Sequence, residues 1–146
     1  MTYYTINSAD VSSEYFESEV LAINLKSGNY FSLRATAFVF WKLIQEGNSL
    51  ESSIFIMSNH FAVEEAKATQ LFTNFTEQLI ANELITKTDN TAVLPNNDWI
   101  QTLDFEFTAP QLESYTDMQD LLLFDPIHDV DTQVGWPKKA DEDATN

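Results

Sequence analysis

All four prolines of this 146-residue chain, Pro95, Pro110, Pro126 and Pro137, lie beyond residue 94. Proline fixes φ and removes a backbone donor, so regular elements can run unbroken before residue 95 and are interrupted repeatedly after it. The charge divides at nearly the same place, with 11 acidic and 5 basic residues before Asp98 and 12 acidic and 2 basic from there on. These shifts predict a globular domain over residues 1–94 and an acidic, partly extended arm over 95–146. A net charge of −16 repels phosphate backbones and anionic lipid, so neither nucleic acid nor a membrane is expected as a partner. The chain has no cysteine, which excludes disulfides, thiol nucleophiles and cysteine-ligated metals. Met1-Thr2-Tyr3-Tyr4 lacks the basic and apolar blocks of a signal peptide, and no apolar run reaches the roughly 18 residues a spanning helix needs. A soluble, cytoplasmic protein is the expectation.

Within residues 1–94 the hydrophobic period changes from two to that of a helix. Glu19 to Leu25 reads as a strand with Leu21, Ile23 and Leu25 on one side, and Val11 to Phe16 can add another. Lys26-Ser27-Gly28-Asn29 is turn chemistry, and Tyr30 to Leu33 is the returning strand. From Ala35 the apolar residues Ala37, Phe38, Phe40, Trp41 and Ile44 share a helical face, and Gly47 stops that helix. Asn48 or Ser49 can cap a second helix carrying Leu50, Ile54, Met57 and Phe61. A third helix begins near Glu64 and Glu65, with Ala68, Leu71, Phe72, Phe75, Leu79 and Ile80 in one stripe. Leu84-Ile85-Thr86 and Thr91-Ala92-Val93 would close the domain as a weak hairpin. The predicted class is α+β, winged helix-turn-helix-like: a small N-terminal antiparallel sheet followed by three helices. A DNA reader of that shape needs a basic recognition helix, yet the third helix offers Lys67 against Glu64, Glu65, Glu77 and nearby Glu83. A protein or peptide ligand fits it better.

The string Leu33-Arg-Ala-Thr-Ala-Phe-Val-Phe-Trp-Lys-Leu-Ile-Gln-Glu-Gly47, the helix start Ser49-Leu50-Glu51 and the step from Leu79 to Leu84-Ile85 resemble the PqqD-like family. These domains are also called recognition elements for ribosomally synthesised, post-translationally modified peptides. The resemblance runs from Glu19 to Ile85, slightly under half of the chain, and is to a longer type with an acidic C-terminal tail. Two positions depart from the family pattern: Arg34 stands for a polar, Asn-like residue and Ala37 for a frequent glycine. The resemblance implies a domain without catalysis or cofactor. It would bind the leader segment of a precursor peptide as an added strand and present the precursor to a modifying enzyme. Carried onto this sequence, the receiving edge is Asn29, Tyr30, Phe31, Ser32 and Leu33, and the facing wall is Lys67, Gln70, Leu71, Asn74 and Gln78. Arg34 and Lys67 are the cations suited to an acidic leader residue. Phe31, Leu33 and Leu71 read first as core, which can also line the cleft, and Arg34 and Lys67 read equally as solvated surface. An open strand edge also permits pairing into a homodimer.

In the arm, Thr116-x-x-Gln119 fits a capping box, predicting a short helix over residues 116–125 that carries Met118, Leu121, Leu122 and Phe124. Pro126 would end it, leaving an extended segment with Ile127, His128 and Trp136. The arm can dock in cis, grip a partner enzyme, or hold a metal through His128, Asp125, Asp129 and Asp131. The metal reading is the weakest, since no second His lies nearby. Cis lock and partner motif can be two states of one element: the arm covers the peptide edge until precursor or enzyme displaces it. No metal site is therefore assigned.

Enzyme signatures are missing. The two histidines, His60 and His128, lie far apart, and three glycines cannot build a phosphate loop or a nucleophile elbow. His60 reads as a cation at the end of the second helix. The alternative function, from another class, is an acidic interaction module such as a DNA mimic that occupies a basic groove.

Overall fold

The computed structural model describes residues 1–89 and 94–116. Residues Met1–Ser114 form one compact unit. The fold is α+β, as expected, with strands β1 (Tyr3–Ile6), β2 (Val11–Tyr15), β3 (Glu19–Asn24) and β4 (Tyr30–Arg34) preceding three helices. These are α1 (Thr36–Gln45), α2 (Leu50–Phe61) and α3 (Glu65–Ala81). Strand β5 (Ile85–Thr88), a short 3-10 helix (Asp98–Thr102) and strand β6 (Glu113–Tyr115) follow.

Strands β2, β3 and β4 form an antiparallel meander, and β6 lies beside β4 to complete a four-stranded sheet. Gly28 takes φ 81 in the β3–β4 turn, a conformation that suits glycine. The turn is held from inside. The Asn24 carboxamide oxygen accepts from the backbone N–H of Lys26 (2.9 Å) and Ser27 (3.2 Å), and its Nδ2 donates to Asn82 O at 3.3 Å. Both ends of this buried amide are therefore hydrogen-bonded, as a buried polar group requires.

That arrangement corrects the expected face of β3. Val20, Ala22 and Asn24 are the buried set; Leu21 and Ile23 are half-buried, and Leu25 is exposed. Apolarity misleads here because Asn24 earns its buried place by tying the turn to the end of α3. Of the expected closing hairpin, Leu84-Ile85-Thr86 falls at β5. β5 pairs antiparallel with the N-terminal strand β1, from Tyr3 opposite Thr88 to Ile6 opposite Ile85. Residues 90–93, its supposed second limb, lie outside the described residues. The pairing is reinforced by Asn7, whose N–H donates to Leu84 O and whose Nδ2 donates to Glu83 O, both at 2.9 Å.

Helix α1 is buried almost all round, only Lys42 and Gln45 escaping the core, so it is the central element. Phe40 stacks on Phe72 at 5.0 Å and meets Phe75 edge-on at 5.9 Å, which ties α1 to α3. The expected caps hold. Gly47 follows α1 with φ 105, and the Ser49 hydroxyl accepts from Ser52 N–H at 3.0 Å to start α2. His60 sits in the last turn of α2 with its ring edge-on to Phe61. Among the described residues no helix is long and apolar enough to cross a membrane.

Candidate functional site

The hydrogen-bond phase of the β3–β4 ladder decides what β4 offers to a ligand. Asn24 N–H donates to Asn29 O at 2.9 Å, which makes that opposed pair a hydrogen-bonded one. In an antiparallel ladder such pairs alternate with non-bonded ones, so Phe31 and Leu33 direct their backbone groups towards Ala22 and Val20. The backbone N–H and C=O groups of Tyr30, Ser32 and Arg34 consequently point to the other edge, the receiving side.

The side chains of β4 divide differently. Phe31 and Leu33 lie in the core, 2% and 0% exposed, so they support the edge from below. Ser32 is buried too, with Oγ donating to Glu19 Oε2 at 2.8 Å. Asn29 and Tyr30 are half-buried, and Arg34 is exposed. On α3, Lys67, Gln70, Asn74 and Gln78 are exposed and Leu71 is half-buried. A cavity of about 320 Å³ opens between Asn29 and Phe31 on the β4 side and Ala81, Asn82 and Glu83 at the end of α3. Lys26 lies at its mouth, 3.1 Å from Glu83. The hydrogen bond and charge of Glu83, with Asp10 nearby, hold the Lys26 ammonium above its ordinary pKa.

On the expected receiving edge, β6 already pairs with β4. Arg34 grips Glu113 with two parallel bonds, Nε to Oε1 at 3.0 Å and Nη2 to Oε2 at 2.6 Å. This fork geometry fixes direction as well as charge. One residue into α1, the Thr36 hydroxyl donates to Thr108 O at 2.5 Å. Upstream, Leu103, Phe105 and Phe107 are half-buried while Asp104, Glu106 and Thr108 are exposed, the alternation of an extended chain with one face on the domain. Phe107 meets Phe61 of α2 at 5.8 Å and Phe72 of α3 at 6.2 Å; Phe105 meets Phe61 at 5.6 Å. The segment is anchored at its start by a reciprocal amide pair, Asn48 Nδ2 to Asn97 Oδ1 and back, at 2.9 and 3.0 Å. Ile100 enters the core, and Lys42 lies over the Trp99 ring at 4.7 Å. Half-buried side chains contribute less than the roughly 1.5–3 kcal/mol of full burial, but five or six together still hold the segment by several kcal/mol.

Sequence reasoning named the β4 edge and expected the arm to cover it through side chains beyond residue 117, leaving the occupying segment 103–113 unread. Its signal was present, because Leu103-Asp-Phe-Glu-Phe107 alternates apolar and acidic residues at the strand period. Met118, Leu121, Leu122, Phe124, Ile127, His128 and Trp136, with the expected helix over 116–125 and the metal reading, lie outside the described residues. Among the described residues no group of three His, Asp or Glu side chains could hold a metal ion.

Residues 19–85 match the model of the family described as coenzyme PQQ synthesis protein D (PqqD). A solved structure, "TbiB1 in Complex with the TbiA(beta) Leader Peptide", is similar with a TM-score of 0.54 and 26% sequence identity, covering 59% of this chain and 99% of that one. No curated protein matches the sequence.

Proposed function

The chain carries a PqqD-family domain over residues 19–85, and from it we propose that the protein binds the leader segment of a ribosomally made precursor peptide and presents that precursor to a modifying enzyme. It acts as an adaptor in the cytoplasm, where precursor peptides are made, and does no chemistry of its own. The observation that carries this reading is the β4 edge: three outward-facing residues, Tyr30, Ser32 and Arg34, whose backbone groups can pair with a further strand, beside a cleft that reaches the end of α3. Strand addition suits such a ligand, because main-chain bonds align it while alternate side chains supply preference. The similarity to TbiB1, solved in complex with a leader peptide, supports a leader peptide as the ligand. In functional terms residues 1–94 are the receiving domain, a winged helix-turn-helix-like unit turned to peptide recognition, and residues 95–146 are the arm.

The test is a fluorescence-anisotropy titration of the full chain with leader peptides encoded beside its gene, at two salt concentrations, together with a Tyr30→Pro variant. Tyr30 N–H points to the receiving edge rather than to β3, so proline removes a donor for the ligand and none from the β3–β4 ladder. Saturable binding that Tyr30→Pro abolishes while the far-UV spectrum stays native is the expected result. Leader binding unaffected by the proline would overturn strand addition, and no binding by any leader would favour the acidic mimic of a nucleic acid.

A further inference from the structure

We infer that residues 103–113 are a built-in surrogate for the peptide, and that the ligand of this site shares their chemistry. That ligand is an extended segment with apolar residues at alternate positions, including an aromatic one for the niche at Phe61 and Phe72. Six residues further on it carries a carboxylate for Arg34. The inference rests on the leader-binding reading and specifies what that leader looks like.

Three independent features support it. Phe107 touches both α2 and α3, so its niche is built by tertiary packing and not by the segment itself. Thr108 places its carbonyl on the Thr36 hydroxyl, a main-chain contact that any residue type could supply. Glu113 then meets Arg34 in a two-bond fork, which selects a carboxylate and little else. Main-chain alignment between two selective contacts is the arrangement an added peptide strand requires. A cavity of about 450 Å³ bounded by Arg34, Ala35, Thr108, Ala109, Gln111 and Glu113 leaves room at the middle of the path for larger side chains than the segment's own Ala109.

The surrogate is tethered, so its effective concentration at the site is on the order of millimolar and a free peptide must compete with it. The experiment uses full-length protein and a fluorescein-labelled synthetic peptide of residues 104–114. The double variant Phe107→Ser/Glu113→Lys releases the internal copy without changing the receiving residues. The labelled peptide should bind that variant at least about ten-fold more tightly than it binds wild type. In a Phe107→Ser/Glu113→Gln background, where position 113 cannot re-pair by charge, Arg34→Glu should weaken binding several-fold, and a peptide carrying Lys at the position of Glu113 should restore it. Equal affinity for wild type and double variant, or no binding to either folded protein, overturns the surrogate. A gene-neighbour leader that binds in a Tyr30→Pro-sensitive way, yet is not competed by the 104–114 peptide, overturns the surrogate and leaves the leader reading standing. Failure of every peptide removes both. Should the double variant not fold, hydrogen exchange on wild type decides: bound leader must speed exchange of residues 104–114, and unchanged protection overturns the proposal.

Discussion

Strand β4 has two neighbours of very different kinds. On one side β3 pairs with it over five opposed residues through a tight turn, and the chain between them is short enough to close at little entropic cost. On the other side the three-residue β6 arrives from far along the chain, Glu113 lying 79 positions after Arg34. The β3 contact is backed by Val20, Phe31 and Leu33, all essentially dry, whereas the segment that includes β6 is held by half-buried rings and one exposed ion pair. One neighbour belongs to the scaffold and forms with it. The other must be able to leave without dismantling the core if it is the exchangeable occupant proposed above.

The sharpest way to break this distinction is to truncate one apolar side chain on each side. Leu33→Ala removes a fully buried side chain from β4 and should cost about 2–5 kcal/mol of global stability, read as a lower urea midpoint with little change in slope. Phe107→Ala removes a half-buried ring and should cost about 1–2 kcal/mol, confined to the segment. Its signature is faster hydrogen exchange around residues 104–114 with an almost unchanged global midpoint. A Phe107→Ala variant that melts as early as Leu33→Ala would mean that the two neighbours form one cooperative unit.

How much of this could be read beforehand follows the same division. The turn at Gly28, the stop at Gly47, the Ser49 cap and the three helices are local events, and their residues carry the cause with them. The pairing of β1 with β5 and the placement of Asn24 inside depend on where α3 ends, which local patterns do not encode. The family resemblance pointed to the β4 edge and the tail was expected to cover it, but the covering residues were sought beyond 117, since alternation in Leu103–Phe107 announces an extended chain without naming its partner. Arg34 is instructive. Its departure from the Asn-like residue of the family puts a cation at the end of β4, and in the fold that cation meets Glu113, an acidic residue outside the matched region. The departure and the arm belong together.

That pair gives a smaller effect. Arg34→Lys keeps the charge and loses the fork, and an exposed pair of this kind is worth about 0.2–1 kcal/mol. Exchange near Glu113 should accelerate two- to five-fold, and raising salt should bring wild type towards the variant. Identical exchange in both proteins would mean that the segment is aligned by its rings and backbone alone, and the acidic preference proposed for the peptide would lose its basis.

The smallest effect tests whether the scaffold senses the occupant at all. Tyr15 on β2 accepts a hydrogen bond from Trp41 Nε1 at 3.1 Å and meets Phe38 edge-on, with no element of the docked segment between them. Burial pushes its phenol pKa above the usual value near 10; the Trp41 donor opposes that rise, and the charge of Glu46 adds to it. The sign follows from linkage. Below the ordinary tyrosine range both folded and unfolded states hold the proton, so this contribution to stability is fully present. As pH rises through that range the unfolded chain ionises first, and the contribution fades until the raised folded pKa is passed. Absorbance at 295 nm should therefore show one tyrosine titrating late, and Glu46→Gln should move it down towards 10. Phe107→Ala should leave it where it was. If releasing the segment shifts Tyr15 as much as Glu46→Gln does, the occupant is coupled through α1 to the far edge of the sheet, and peptide exchange at β4 would be felt at β2 as well.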